Sequence, residues 1–328
     1  MTNPRILVLG TGGTIAGSGA SATGAAYRPG GLALEAMLGN LAALGLDAEL
    51  VPQEVARIGS QDMGWPHWQA LHAACTAALA DPDIDGVIIT HGTDTAEETA
   101  FLLDLTLPTH KPIVLVGAMR AADAVGADGM RNFANAVKVP SDGRASWRGV
   151  MLVMGDAVLA ARDARKAATS AIDAFRSFPR GPLARVTPSG LDWFGPPHRL
   201  GGAACYPFPD TLPRVAILTA GAGMDEQPVK ALLGIGCKGM VLAGMGQGNA
   251  PACVIAALAE AAAAGVPVVR STRVDEGIVD RNVEVDDDAL GFVAARALGP
   301  AKARVLLMVL IANGITKPAA VQAAFDGG

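Results

Sequence analysis

Two short segments of the chain gather hydroxyl, carboxylate and imidazole groups around glycine. The first reads Gly-Thr-Gly-Gly-Thr-Ile-Ala-Gly over 10–17 and comes directly after the apolar run 6–9. A glycine-rich turn after the first strand of an α/β unit serves either of two chemistries. It cradles a pyrophosphate at a helix N-terminus, or it brings main-chain amides close to a small substrate and leaves Thr14 exposed on a loop. The dinucleotide register places its third glycine at Ile15, and no clear acidic residue closes a second strand about twenty residues on. Where a helix should begin, a second small-residue run occupies 17–31 and reads as a mobile lid.

The second segment, Thr-His-Gly-Thr-Asp-Thr over 90–95, lies between an apolar run and a helix-period stretch. Thr95 with Glu98 three residues on reads as a capping box, and Asp94 favours the positive end of the helix dipole. That reading leaves His91, Thr93 and Asp94 gathered at the carboxyl end of a strand. For His91 alone, a structural hydrogen-bonding role is favoured over that of a catalytic base.

The elements that must position these segments emerge from hydrophobic rhythm. Short β-branched runs bounded by Gly, Asp or Pro predict strands over 6–9, 87–90, 113–116 and 150–153. Between them, helix-period stretches predict helices over 32–44, 68–79, 96–105 and 130–137. Alternation of this kind makes a doubly wound, mostly parallel sheet, whose ligands bind beyond the carboxyl ends of the strands. From 178 to 213 eight prolines suppress long helices, and runs over 183–186 and 191–194 flank a Pro-Ser-Gly turn as a small hairpin. The rhythm resumes with strands over 215–218, 240–242 and 266–269 and helices over 227–233, 252–263 and 302–312. The expected fold is therefore α/β, with a larger N-terminal doubly wound domain over 1–195, a linker over 196–213 and a smaller α/β domain over 214–328.

Composition narrows the function class. Among 328 residues, 51% are hydrophobic and 17% charged, enough for two apolar cores and little sign of disorder. A net charge of −5 without basic runs argues against nucleic acid or anionic lipid as partner. The first apolar run is too short for a secretory core, and no run approaches the roughly 18 to 20 residues of a bilayer span. A soluble, cytoplasmic protein is expected, with a periplasmic one as the alternative if a leader was removed. Cys75, Cys205, Cys237 and Cys253 show no ligand spacing and read as ordinary buried thiols, so neither structural zinc nor a disulfide framework is expected.

Taken together, Thr-Gly-Gly-Thr-Ile-Ala-Gly over 11–17 and His-Gly-Thr-Asp-Thr over 91–95 resemble the paired motifs of the bacterial-type asparaginase/glutaminase family. The resemblance continues through Ile-Gly-Ser-Gln-Asp-Met over 58–63, Val-Gly-Ala-Met-Arg over 116–120 and Arg-Asp-x-x-Lys over 162–166. It extends to Gly-Gln-Gly-Asn over 246–249, Glu-Val-Asp-Asp over 284–287 and Lys-Ala-Arg-Val-Leu-Leu over 302–307. It is with the type II branch, and not with the self-processing plant-type enzymes. The resemblance implies a cofactor-free, metal-free L-asparaginase with Thr14 as nucleophile and Tyr27, on the lid, helping to remove its proton. It implies a second catalytic cluster of Thr93, Asp94 and Lys166. Ser60 and Gln61 would hold the substrate's α-carboxylate and help to hold its α-ammonium group, whose main anionic partner would be Asp94. Asn249 and Glu284 would also reach the pocket, Glu284 from a neighbouring subunit of a homotetramer. A glutaminase-asparaginase of broad amide specificity is the alternative activity, and a non-catalytic amino-acid sensor a more distant one. Gln247 departs from the family's usual residue, the lid is richer in Ala than usual, and Cys75 lacks the disulfide partner expected near Thr109.

Overall fold

The structure is a computed structural model and describes residues 3–19, 27–42, 47–197 and 206–327. The chain divides into two compact units, one running to Cys205 and the other beginning at Tyr206. The first contains β1 (Arg5–Gly12), the short β2 (Ser18–Gly19) and β3 (Tyr27–Arg28), α1 (Leu34–Ala42), β4 (Glu49–Ile58) and α2 (Trp65–Ala80). Next come β5 (Gly86–Thr90), α3 (Ala96–Thr106), β6 (Ile113–Val116), α4 (Gly129–Val137) and β7 (Val150–Met154). Five short strands complete it: β8 (Ala157–Ala160), β9 (Ala164–Lys166), β10 (Phe175–Ser177), β11 (Ala184–Thr187) and β12 (Gly190–Trp193).

Eight of these strands form one sheet in the order β12-β11-β8-β7-β6-β5-β1-β4. The five from β7 to β4 are parallel, and β8, β11 and β12 extend the sheet antiparallel. Side chains alternate across it as a period of two requires. Val87, Ile89, Ile113 and Leu115 pack with Leu71, Cys75 and Leu79 of α2 and Ala100 and Leu103 of α3. Ile6, Val8, Ile88, Val114 and Val116 point the other way, onto Leu34 and Met37 of α1 and Phe133 and Val137 of α4. The sheet is thus covered on both faces. Neighbouring strands β1 and β5 send their succeeding helices to opposite faces, and the crevice between them is where such a sheet binds ligands.

The four expected parallel strands and the 183–194 hairpin are present, and the sequence reading missed β4. Its Glu-Leu-Val-Pro-Gln-Glu-Val-Ala-Arg-Ile run is exposed at four of its first six residues because β4 is the edge strand, where Pro52 costs no ladder bond on the open side. Helix α2 starts three residues earlier than the hydrophobic pattern indicated. Pro66 fits its first turn, and the Nδ1 atom of His67 accepts the Gly64 N–H at 3.1 Å, so the helix begins before its first buried residue. Helix α1 is described over Leu34–Ala42; residues 43 and 44 of the expected helix lie outside the described residues.

The second unit comprises β13 (Val215–Thr219), α5 (Gln227–Gly234), β14 (Gly239–Gly244), α6 (Ala252–Ala263) and β15 (Val268–Thr272). It continues with α7 (Asp287–Leu290), β16 (Phe292–Ala294), α8 (Pro300–Ala312) and α9 (Pro318–Asp326). Its four strands are parallel in sequence order. Val229 of α5 and Val254, Leu258 and Ala261 of α6 cover one side of β13–β15 together with Phe292. Of the cysteines, Cys75 and Cys237 are buried, as the thiol reading required, while Cys253 is exposed, because it sits in the first turn of α6 off the side that packs on the sheet. Cys205 lies outside the described residues. Among the described residues no helix is long and apolar enough to cross a membrane.

Candidate active site

Three loops leave the carboxyl ends of the adjacent strands β5, β1 and β4, and they meet through glycine. Gly13, at φ 74°, lies so close to the second loop that a Cβ on it would sit 2.4 Å from Gly92 N. A Cβ on Gly92 would in turn sit 2.7 Å from Ser60 Oγ, and one on Gly12 would sit 2.7 Å from Ile58 N. Behind them Gly117, after β6, leaves room for the His91 carbonyl and the Thr93 methyl, 2.8 and 3.0 Å from where its Cβ would be. Side chains at these positions would push the loops apart; without them, the main chain at Gly12 and Gly13 packs on main chain, and Gly92 and Gly117 leave room for the Ser60 hydroxyl and the Thr93 methyl.

Thr14 opens a single 3-10 turn, Thr14–Ala16, after β1. It is 6% exposed in the chain by itself, which corrects the expectation of an exposed hydroxyl: Ile15 and Ala16 beside it are buried and draw the turn inward. Thr11 Oγ1 donates to the Thr90 carbonyl at 2.8 Å and ties the first loop to the strand that carries the second.

On the second loop, Thr93 is buried and Asp94 is exposed. Lys166 reaches both from β9: its Nζ donates to Thr93 Oγ1 at 2.9 Å and to Asp94 Oδ1 at 2.5 Å. The lysine lies on a strand of a small antiparallel ribbon with β10, and its side chain is 17% exposed, unlike a solvated helix face. Glu97, in the first turn of α3, accepts the Lys166 main-chain N–H at 3.0 Å and anchors the ribbon to the helix. Sequence reasoning missed Glu97; a carboxylate in a first helical turn signals only a dipole partner.

Ser60 is 4% exposed and links the third loop to the second. Its Oγ accepts the Asp94 N–H at 3.1 Å, and its carbonyl accepts Thr95 Oγ1–H at 2.7 Å. The capping-box expectation for Thr95 is thereby corrected: its hydroxyl makes no cap to α3 because it is spent across the loop interface. Gln61 is exposed next to Ser60.

His91 is fully buried, and its Nδ1 lies 2.7 Å from the Gly92 carbonyl. A carbonyl only accepts, so Nδ1 carries the proton and Nε2 is a bare acceptor, without a partner among the described residues. Burial pushes the imidazole down from 6.5 to about 4, and the bond to Gly92 opposes this only in part. Buried and bonded to the adjacent carbonyl, His91 has the environment expected for the hydrogen-bonding role favoured above.

On the lid, Ser18 pairs with Arg28 and Gly19 with Tyr27 as a short antiparallel bridge, and Asp123 accepts the Gly19 N–H at 2.8 Å. The Tyr27 side chain and residues 20–26 lie outside the described residues. Asn249 and Glu284 belong to the second unit, where Asn249 Nδ2 donates to Glu284 Oε2. Among the described residues no cluster of His, Cys, Asp or Glu could hold a metal ion.

Residues 5–199 match the family model described as Asparaginase, N-terminal, and residues 214–325 match the Glutaminase/Asparaginase C-terminal domain. A Haemophilus influenzae protein named Probable L-asparaginase periplasmic is 42% identical over 98% of this chain and 93% of its own length. Escherichia coli L-asparaginase 2 is also 42% identical, over 94% and 89%. The Pseudomonas fluorescens Glutaminase-asparaginase is 37% identical over 94% and 86%. Among solved structures, the Probable Cytoplasmic L-asparaginase from Campylobacter jejuni superposes with a TM-score of 0.93 at 36% identity, covering 98% of this chain and 99% of that one.

Proposed function

Since the chain belongs to the asparaginase/glutaminase family, we propose that it is an amidohydrolase converting L-asparagine to L-aspartate and ammonia through a threonine acyl-enzyme. The observation that carries the reading is the Lys166 ammonium donating to both Thr93 and Asp94. A hydroxyl is a weak nucleophile until its proton is accepted and its developing charge is stabilised. Thr14 is that nucleophile in the first half of the reaction; in the second half a cation 2.9 Å from Thr93 Oγ1 stabilises the charge that develops as water is activated, and Asp94 holds that cation in place.

In the proposed reaction, Thr14 Oγ attacks the side-chain amide carbon and gives up its proton with the help of Tyr27. Main-chain amides of the glycine-supported loops stabilise the oxyanion, the proton taken from Thr14 passes to the amide nitrogen, the C–N bond breaks, and that nitrogen leaves as ammonia. Water, activated at the Thr93–Lys166–Asp94 cluster, then hydrolyses the Thr14 ester. Ser60 and Gln61 take the substrate's α-carboxylate, and Asp94 takes its α-ammonium group. Glu284 joins the pocket from a neighbouring subunit of a homotetramer. Because Asn249 hydrogen-bonds Glu284 within one chain, the same neighbour delivers both. The cytoplasm is the proposed compartment, in keeping with Cys75 as a free thiol; the Haemophilus and Campylobacter relatives carry opposite labels on this point.

A second reading, a glutaminase-asparaginase, is favoured by the Pseudomonas relative of that name. One methylene separates the two substrates and is worth about 1 to 3 kcal/mol, roughly 10- to 200-fold in kcat/KM. Ammonia release from Asn and Gln, with Thr14→Ala and Thr93→Ala alongside, tests both readings. Release from Asn that drops by about 10³ or more in each variant is expected. No release from either amide defeats the enzyme reading, and unchanged release in Thr14→Ala defeats the nucleophile.

A further inference from the structure

Arg270, on β15, is 0% exposed, and its whole guanidinium is engaged. Nε and Nη2 grip the two Asp287 carboxylate oxygens at 2.6 and 2.7 Å, and Asp287 is itself 0% exposed. The remaining donors go to main chain: Nη1 to the Gln247 carbonyl at 2.8 Å and Nη2 to the Asp280 carbonyl at 3.2 Å. One cation therefore binds two separate loops, 245–249 and 279–288. The first is a tight turn closed by paired hydrogen bonds between Met245 and Asn249, 2.7 and 2.8 Å long. Gly248, at φ 82°, lies against the guanidinium: a Cβ there would sit 3.1 Å from Arg270 Nη1. The second loop is held again through Asp287, whose Oδ2 also accepts the Asn282 N–H at 2.9 Å.

The Gln247 side chain adds a direct cross-tie, its Oε1 accepting the Asp280 N–H at 3.0 Å. Asn249 stands two residues beyond Gln247 on one loop, Glu284 four residues beyond Asp280 on the other, and the two side chains meet. We propose that Arg270 and Gln247 are positioning residues: they clamp the two loops so that Asn249 and Glu284 are presented to substrate as one preorganised pair. Neither touches the reacting atoms. The proposal rests on the reading of Asn249 and Glu284 as substrate-binding residues. A fork is required at the centre, because a lysine offers a point charge and cannot grip Asp287 and two carbonyls in one plane.

The test uses the full-length protein with Gln247→Met, which keeps the packing stem and removes the acceptor, beside Arg270→Lys. Asparagine kinetics are read with hydrogen exchange at the Asp280 and Asn282 amides. In Gln247→Met, KM rises about 3- to 10-fold, the value of one hydrogen bond, with kcat within about twofold and faster exchange at Asp280. Arg270→Lys raises KM further and speeds exchange at both amides. Should that buried substitution fail to fold, Gln247→Met carries the test alone. Asn249→Ala and Glu284→Gln separate the two levels. If they raise KM while Gln247→Met does not, the clamp is overturned and the pocket assignment stands. If they leave KM unchanged, the pocket assignment falls and the clamp's function with it. A fall in kcat at constant KM in Gln247→Met also overturns the proposal.

Discussion

Replacing His91 by Asn removes a titrating group while keeping a donor near the position of Nδ1, which bonds the Gly92 carbonyl. In the folded chain burial holds the imidazole at about 4, against 6.5 when it is exposed on unfolding. Between these values the unfolded chain binds a proton at His91 that the folded chain refuses. Stability is therefore complete above about pH 6.5, falls as pH falls through the window, and loses nothing more from this group below about 4. At about 1.4 kcal/mol per pH interval, the loss across the window is on the order of 3 kcal/mol. Urea unfolding followed by tryptophan fluorescence at a fixed protein concentration, at steps between pH 7 and pH 4, measures it. The carboxylates titrate alike in both proteins and cancel in the comparison. Wild type should lose about 3 kcal/mol more than His91→Asn over this span. Parallel curves, agreeing within about 0.5 kcal/mol, refute the reasoning, as does a His91 resonance that titrates between pH 6 and 7.

Lys166→Met should lower kcat on asparagine by about 10²- to 10⁴-fold with a smaller effect on KM, since the stabilised charge develops during the reaction; a kcat within about threefold of wild type refutes it. Gly13→Ala places a Cβ 2.4 Å from Gly92 N at a φ of 74°, so it should cost more than about 2 kcal/mol in thermal melts and remove most activity. Cys75, whose thiol burial pushes up to about 12, should resist iodoacetamide in the native protein while exposed Cys253 is alkylated; peptide mass spectrometry reads both.

The buried parallel strands were legible because each is a continuous apolar run, and a strand covered on both faces has no reason to be otherwise. Edge strand β4 was not, since its exposed centre of Pro52, Gln53 and Glu54 carries the polarity of a loop. Strands β8, β9 and β10 were missed for another reason: at three or four residues they hold too little periodicity to register. The site was legible as a set of residue types, and Thr93, Asp94 and Lys166 do converge. Its joinery was not. That Thr95 serves Ser60 and not its own helix, or that Glu97 holds the lysine's main chain, depends on partners 35 and 69 residues away. Nor does a sequence say that Arg270 ends buried against Asp287, since both look like surface charges in a polar stretch.

The contact of Gly13 with Gly92 is made by main-chain atoms that every residue possesses. The spacing of a joint of this kind does not depend on which side chains surround it. It also has only one tolerated spelling, because any other residue is a wedge. Divergence in what the pocket accepts is then channelled away from the loops bearing Thr14 and Thr93, toward segments joined by side chains. There a single exchange changes a hydrogen bond, such as the one Gln247 Oε1 accepts from Asp280, and leaves the glycine joint in place.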